Sequence, residues 1–295
     1  MLMGEHAVLR GKGAIVAAVN QRLNIKMTVN DTRTIEIKSE LGHYSKPLSE
    51  LTIEKPFSFI LASILKFQPD CGLSLDIKSD FDAQLGLGSS AAVAACMVAL
   101  LRDLKAEAFD QRAIFDDALS IIRSVQGGKG SGADLAASVY GGLLYYKIKS
   151  DKIEITPLKH IPAIHCFYSG AKEKTTDVID FVSRNEAKNP TRYLELFNEM
   201  DELVMQAKAA INQANWDEFA SLITLNQALM TEMKLVNEPI RKILNALSTE
   251  PKVSAAKISG SGLGDCVFAL GELSENFCYD ALDLHLSERG LELNQ

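Results

Sequence analysis

The spacing of apolar and polar residues changes character along the chain. Residues 14–19 form an apolar run, and residues 23–29, 34–39 and 72–79 alternate apolar with polar side chains. Alternation places the two sets on opposite faces of a pleated strand, so these segments predict half-buried strands, with Asn30 and Asp31 turning the chain between the first alternating pair. A short apolar stretch, 56–67, predicts a helix inside this β-rich start. From residue 89 the period lengthens. Ala, Val, Leu and Met dominate 89–104, which predicts a helix buried on most of its faces. Residues 110–125 have amphipathic spacing and an acidic start, and 133–140 predict a short helix ending at Gly141 and Gly142 before a strand over 143–148. Beyond about residue 150, short strands over 153–158 and 163–168 lead into long amphipathic helices over 175–184, 190–213, 217–234 and 238–248. Strands over 254–258 and 266–270 and a final helix over 275–289 complete the expected order. The change of pattern predicts two domains, residues 1–158 and 159–295.

Composition narrows the class. The 295 residues suffice for two domains with substantial cores, and 47% hydrophobic against 23% charged residues is the balance of a folded protein. Acidic residues outnumber Lys and Arg by 38 to 31, a net charge of -7 that offers no general basic field to nucleic acid or an anionic lipid surface. A phosphorylated ligand must then be held by local groups. Cys71, Cys96, Cys166, Cys266 and Cys278 are scattered without a Cys-x-x-Cys pair, and the histidines lack His-Glu-x-x-His spacing, so neither set predicts a metal centre. The sequence offers neither a run of about 18 apolar residues nor a cleavable leader pattern, so a cytoplasmic protein with no membrane and no nucleic-acid partner is expected.

Candidate chemistry concentrates in glycine-rich segments. Gln84-Leu85-Gly86-Leu87-Gly88-Ser89-Ser90-Ala91 follows a predicted strand and opens a predicted helix. Gly86 and Gly88 permit a sharp turn and close approach to a ligand, Ser89 or Ser90 can cap the helix, and N–H groups at its positive end suit a phosphate. Residues 127–132 form a second loop leading to Asp134 at a helix start, and residues 260–264 form a third between two strands. The P-loop motif Gly-x4-Gly-Lys-Ser/Thr does not occur, nor does the Gly-x-Ser-x-Gly elbow of serine hydrolases. Gly86-x-Gly88-x-x-Ala91 satisfies the dinucleotide fingerprint in form, but the strands before it open no βαβ unit, and no strand with an acidic terminus follows about 20 residues later.

Gly4-Glu5-His6-Ala7-Val8, Gly86-Leu87-Gly88-Ser89-Ser90-Ala91-Ala92 and Lys257-Ile258-Ser259-Gly260-Ser261-Gly262-Leu263-Gly264-Asp265-Cys266 resemble, in order and spacing, the three motifs of the GHMP small-molecule kinases. Within that superfamily the first segment, continued through Leu9-Arg10-Gly11-Lys12, looks most like the mevalonate kinases. Gly130-Ser131-Gly132-Ala133-Asp134 with Ser138-Val139-Tyr140-Gly141-Gly142 resembles their catalytic-aspartate segment. The resemblance implies a two-domain α+β fold, with an N-terminal domain like ribosomal protein S5 domain 2 and a ferredoxin-like C-terminal domain carrying extra helices. It implies ATP and Mg2+ as cofactors, with Gly86, Leu87, Gly88, Ser89, Ser90 and Ala91 at the nucleotide phosphates and Ser90 at the metal. Asp134 would be the catalytic residue. Glu5, His6, Gly260, Ser261 and Gly262, together with Thr175 or Thr176 from a segment similar to the family's substrate-side threonine, would meet a small-molecule substrate, mevalonate or phosphomevalonate, and a homodimer is compatible with the family.

Four features depart from the mevalonate kinase pattern. The lysine that the family carries on its first strand, ahead of Gly-Glu-His, has no counterpart, which leaves a truncated start, substitution by Lys12 or Lys129, or poor activity. Asp82 and Gln84 stand where the family has a proline and a further glycine, and Arg123 aligns near the family's Mg2+-binding glutamate. Residues 128–140 are also similar to phosphomevalonate kinases, in which an extra cation would meet the substrate phosphate.

Overall fold

The alternating and helical periods settle into ten strands and eight helices in the computed structural model, which describes residues 1–80, 88–149, 152–160, 162–171 and 173–294. Gly86 and Leu87 lie outside the described residues, as do Asp82 and Gln84. Among the described residues the chain divides into two compact units. One comprises 1–20 and 141–289; the other comprises 21–80, 88–140 and 290–294.

The chain opens with a 3-10 turn, Ala7–Arg10, and strand β1 (Gly13–Ala17), both in the first unit. It then builds the second unit from β2 (Leu23–Asn30), β3 (Thr34–Ser39), β4 (Gly42–Pro47), helix α1 (Ser58–Phe67), β5 (Gly72–Ser79), α2 (Ser89–Leu104), α3 (Gln111–Val125) and α4 (Ala133–Tyr140). The four strands form one sheet in the order β2-β5-β3-β4. Strand β5 lies between β2 and β3, antiparallel to the first and parallel to the second, so the turn at Asn30 and Asp31 joins strands that are not neighbours. Asn30 shapes that turn: its Oδ1 accepts from the Thr32 N–H and hydroxyl, and its Nδ2 donates to Thr34 O and Ser74 Oγ. Strand β4, which the hydrophobic pattern does not predict, is a largely polar edge strand paired only through β3. Alternation buries Ile35, Ile37, Leu73, Leu75 and Ile77, while α2 buries Ala91, Ala94, Ala95 and Val98. These small side chains let α1, α3 and α4 pack closely on α2.

The rest of the first unit contains β6 (Leu143–Lys149), β7 (Lys152–Pro157), β8 (His165–Tyr168), α5 (Thr175–Lys188), α6 (Pro190–Asn212), α7 (Trp216–Glu232), α8 (Glu238–Ser248), β9 (Val253–Ser259) and β10 (Cys266–Gly271). Two antiparallel sheets result, β1-β6-β7 and β8-β10-β9. Asn215 and Asn237 cap α7 and α8, accepting the N–H groups of Glu218 and Ile240. The helices close over the sheets through Phe197, Met200, Met230 and Ile258 in one cluster and Ile15, Ile211, Phe219 and Phe268 in another.

Residues 275–289 do not form the expected helix. Leu282, Leu284 and Leu286 alternate with polar residues, and the segment runs extended, bridging Cys166 at Leu282 and Val19 at Leu286. The Leu282 N–H donates to Cys166 O at 2.7 Å and the Ser287 N–H to Ala18 O at 2.9 Å. A period of two buries Leu284, where a helical period would have turned it away from these neighbours. No described helix is long and apolar enough to cross a membrane.

Candidate active site

Helix α2 begins without a side-chain cap. Gly88 holds the capping position with φ 82°, and its carbonyl accepts the Ala91 N–H at 3.0 Å and the Ala92 N–H at 3.1 Å. A serine caps from an extended backbone, whereas this turn demands positive φ, so the cap falls on glycine and Ser89 and Ser90 become the first two helical residues. Both serines are half-buried, while the Ala91 methyl is in the core. The positive end of the helix thus carries two hydroxyls and a compact glycine turn, a donor set suited to phosphate oxygens.

Asp134 adjoins this helix start. The Ser131 hydroxyl accepts the Ala133 N–H at 3.3 Å and Gly132 O accepts the Ala136 N–H at 2.9 Å, which together fix the first turn of α4. Asp134 Oδ1 accepts the Leu135 N–H at 3.0 Å, and a Cβ placed on Gly88 would lie 3.7 Å from Asp134 Cβ. Asp134 is exposed to solvent, and the protein close around it displaces part of its hydration shell. Desolvation therefore pushes its carboxyl above the ordinary range, against the pull of the Leu135 N–H. A carboxylate so placed can take a proton beside a group bound at the start of α2.

The first unit gathers the other predicted groups. Lys257 on β9 is 0% exposed and Glu5 2% exposed, and Lys257 Nζ donates to Glu5 Oε1 at 2.6 Å and to Ile258 O at 2.7 Å. Burial lowers the pKa of Lys257, opposed by the charge and hydrogen bond of Glu5. His6, at φ 61°, places Nε2 2.8 Å from Ser261 O. Burial lowers the His6 pKa, with the Ser261 carbonyl opposing. The neutral tautomer that donates from Nε2 to this carbonyl leaves Nδ1 a bare acceptor. Glu5 Oε2, His6 Nδ1 and Ser261 Oγ are buried with no hydrogen-bond partner among the described residues.

The loop bearing Gly260, Ser261 and Gly262 is clamped from two sides. Gly262 has φ 86°, and a Cβ there would lie 2.7 Å from Leu235 Cβ. The Leu263 N–H donates to Leu235 O at 2.8 Å, Asn237 Nδ2 donates to Leu263 O at 2.9 Å, and the Asp265 N–H donates to Ala171 O at 2.8 Å. Thr175 and Thr176 open α5, four and five residues past Ala171; Thr176 Oγ1 donates to Asp177 Oδ1 at 3.3 Å, and Thr175 is exposed. Lys12 donates to Asn198 Oδ1 at 2.6 Å on the surface.

Sequence reading assigned no role to Lys257 or Asn237. The signal for Lys257 was a lone lysine in phase with buried Ala255 on a strand otherwise poor in charge, a position that requires a buried acid as partner. Asn237 was legible as a helix cap but not as a clamp on a loop 26 residues further along.

Comparison with known proteins places these features in one family. The model for the GHMP kinases N terminal domain matches residues 57–142, and that for the GHMP kinases C terminal domain matches residues 207–286. A mevalonate kinase of Pyrococcus abyssi is 26% identical over 294 residues, covering 92% of this chain and 85% of its own length. Among solved structures, the Methanococcus jannaschii mevalonate kinase superimposes with a TM-score of 0.78 at 21% identity, covering 97% of this chain and 95% of the other. The Streptococcus pneumoniae phosphomevalonate kinase in complex with phosphomevalonate and AMPPNP does so with a TM-score of 0.79 at 18% identity, covering 97% of both chains. The two family models together span more than half of the chain, and the fold is shared along nearly all of it: the chain belongs to the GHMP kinases, a family of ATP-dependent kinases.

Proposed function

We propose that the protein is a mevalonate kinase, transferring the γ-phosphoryl group of ATP to the primary hydroxyl of mevalonate to give 5-phosphomevalonate and ADP. The observation that carries the chemistry is the placement of Asp134 beside the uncapped, glycine-turned start of α2. Gly88, Ser89 and Ser90, with Gly86 and Leu87, hold the nucleotide phosphates, and Ala91, buried with its N–H on Gly88 O, supports the turn from behind. The Ser90 hydroxyl is a hard oxygen donor of the kind Mg2+ takes, and the bound ion would offset phosphate charge. Asp134 accepts the proton of the acceptor hydroxyl as that oxygen bonds the γ-phosphorus and the bond to the β-phosphate oxygen breaks. Its raised basicity favours that role.

Glu5, His6 and Ser261 bind the acceptor, with Thr175, Thr176, Gly260 and Gly262 in supporting positions. Glu5 Oε2 and His6 Nδ1 are acceptors and Ser261 Oγ a hydroxyl, a set that receives hydroxyl hydrogens, whereas the ammonium of Lys257 is already engaged by Glu5. That balance supports an acceptor recognised by hydroxyls over one recognised by a phosphate, and the near full-length similarity to a mevalonate kinase supports the same choice. Coupled ADP release with mevalonate and with phosphomevalonate tests it. Mevalonate turnover is expected, with Asp134→Asn lowering kcat by about 100- to 10,000-fold; turnover of phosphomevalonate alone refutes the assignment.

A further inference from the structure

We infer that Lys257 is a positioning residue that aims the Glu5 carboxylate at the acceptor. The inference rests on the proposed role of Glu5 in acceptor binding and adds the residue that sets its geometry. Lys257 is the most deeply buried charge described in the protein's sheets, 252 residues from Glu5 in sequence, and its ammonium lies 5.9 Å from the centre of the Phe268 ring. A buried ion pair is a weak source of stability, because desolvating both charges offsets most of their attraction. It is a strong constraint on where a charge sits.

The hydrogen bonds show a directional arrangement. Lys257 engages Oε1 of Glu5, and Oε2 is buried without a partner among the described residues, which leaves one oxygen of the carboxylate uncommitted. The next residue repeats the scheme: His6 is fixed through Nε2 on Ser261 O, and its Nδ1 is left unpartnered. Lys257 is itself held through the two residues that follow it. Its Nζ donates to Ile258 O, Gln227 Oε1 accepts the Ile258 N–H at 2.9 Å, and the Ser259 hydroxyl donates to Met1 O at 3.1 Å. Each anchor engages one atom of a side chain and leaves the other buried without a partner among the described residues. Lys257 thus acts on the acceptor through Glu5, without touching it.

The test is steady-state kinetics of Lys257→Met, Lys257→Gln, Glu5→Gln and the Lys257→Met/Glu5→Gln double variant, with KM measured separately for acceptor and ATP. The expected result is an acceptor KM raised at least about tenfold in either Lys257 variant, with the KM for ATP within about twofold of the parent. In the Glu5→Gln background, adding Lys257→Met should change the acceptor KM by less than about twofold, because the route through Glu5 is already cut. A structural tie would instead lower thermal stability and leave the acceptor KM of the surviving enzyme unchanged; that result, or multiplicative effects in the double variant, overturns the inference. If the neutral Lys257 variants fail to fold, Lys257→Arg keeps the buried charge but moves its donors, and it decides: a rise of about tenfold in the acceptor KM with an unchanged KM for ATP supports the role, and an acceptor KM within about twofold of the parent refutes it. The kinetics use mevalonate or phosphomevalonate, whichever the parent consumes, so failure of the mevalonate assignment leaves this result readable.

Discussion

Alanine at Gly88 separates a backbone cost from a functional one. The residue sits at φ 82°, where an L side chain costs about 1–2 kcal/mol through its Cβ and the following carbonyl. Among the described residues the added methyl meets nothing closer than Asp134 Cβ, at 3.7 Å, which is ordinary contact. Gly88→Ala should therefore fold and lose only about 1–2 kcal/mol, a fall of about 2–8 °C in Tm. Yet the methyl projects beside Asp134 at the start of α2, the proposed phosphate site, so on that proposal the KM for ATP should rise about tenfold or more. Gly262→Ala supplies the control. Its φ of 86° carries the same backbone cost, but its Cβ falls 2.7 Å from Leu235 Cβ and 3.0 Å from Leu235 O, and relieving that overlap adds about 1–3 kcal/mol. Thermal melts followed by circular dichroism, with coupled ADP-release kinetics on the same samples, measure both quantities. A Gly88→Ala protein that melts below Gly262→Ala, or that keeps the parent's KM for ATP, would refute the reasoning.

Other expectations follow from single contacts. His6 has a depressed pKa in the folded state, so as pH falls below the ordinary imidazole value of 6.5 the unfolded chain takes up a proton that the folded chain resists. Stability is thus full above 6.5 and declines on acidification, and His6→Gln should flatten part of that slope in Tm measured from pH 7.5 to 5; an unchanged slope assigns it elsewhere. Asn226 is 0% exposed and its Oδ1 and Nδ2 find no partner among the described residues, so Asn226→Leu should stabilise by about 1–2 kcal/mol in urea melts, and a loss would reveal a polar partner. Asn237→Ala removes the α8 cap together with a clamp on Leu263, and should cost about 1–2 kcal/mol while raising the acceptor KM more than that for ATP. Equal changes in the two KM values would separate the clamp from acceptor binding.

Much of the fold could be read residue by residue where chain chemistry acts locally. The expected bounds of β5, α2 and α4 match the structure because glycines mark their edges and the apolar period between is unbroken. Pairing was less legible. Alternation in β3 tells which side chains face inward but not that β5, made more than thirty residues later, will separate β3 from β2. In 275–289 an apparent helical stretch concealed the period-two spacing of Leu282, Leu284 and Leu286, and the bridges to Val19 and Cys166 decided the matter. The groups of the candidate site were visible as residue types. Their mutual contacts were not, because His6 and Ser261, like Glu5 and Lys257, are joined across some 250 residues with no local signature.

Among the described residues the first unit is written in two pieces, its opening twenty residues separated from the rest by residues 21–80 and 88–140 of the second unit. During synthesis Glu5 and His6 emerge first, and the strand carrying Lys257 and the turn carrying Ser261 emerge among the last. The strands and helices of residues 21–140 can meet their own partners much earlier. A nascent chain halted before β9 would hold the start of α2 and Asp134 but leave the Gly4-Glu5-His6 segment with neither its lysine nor its carbonyl anchor. If these groups bind the acceptor as proposed, that competence waits for the last strands to leave the ribosome, whereas the start of α2 and Asp134 do not.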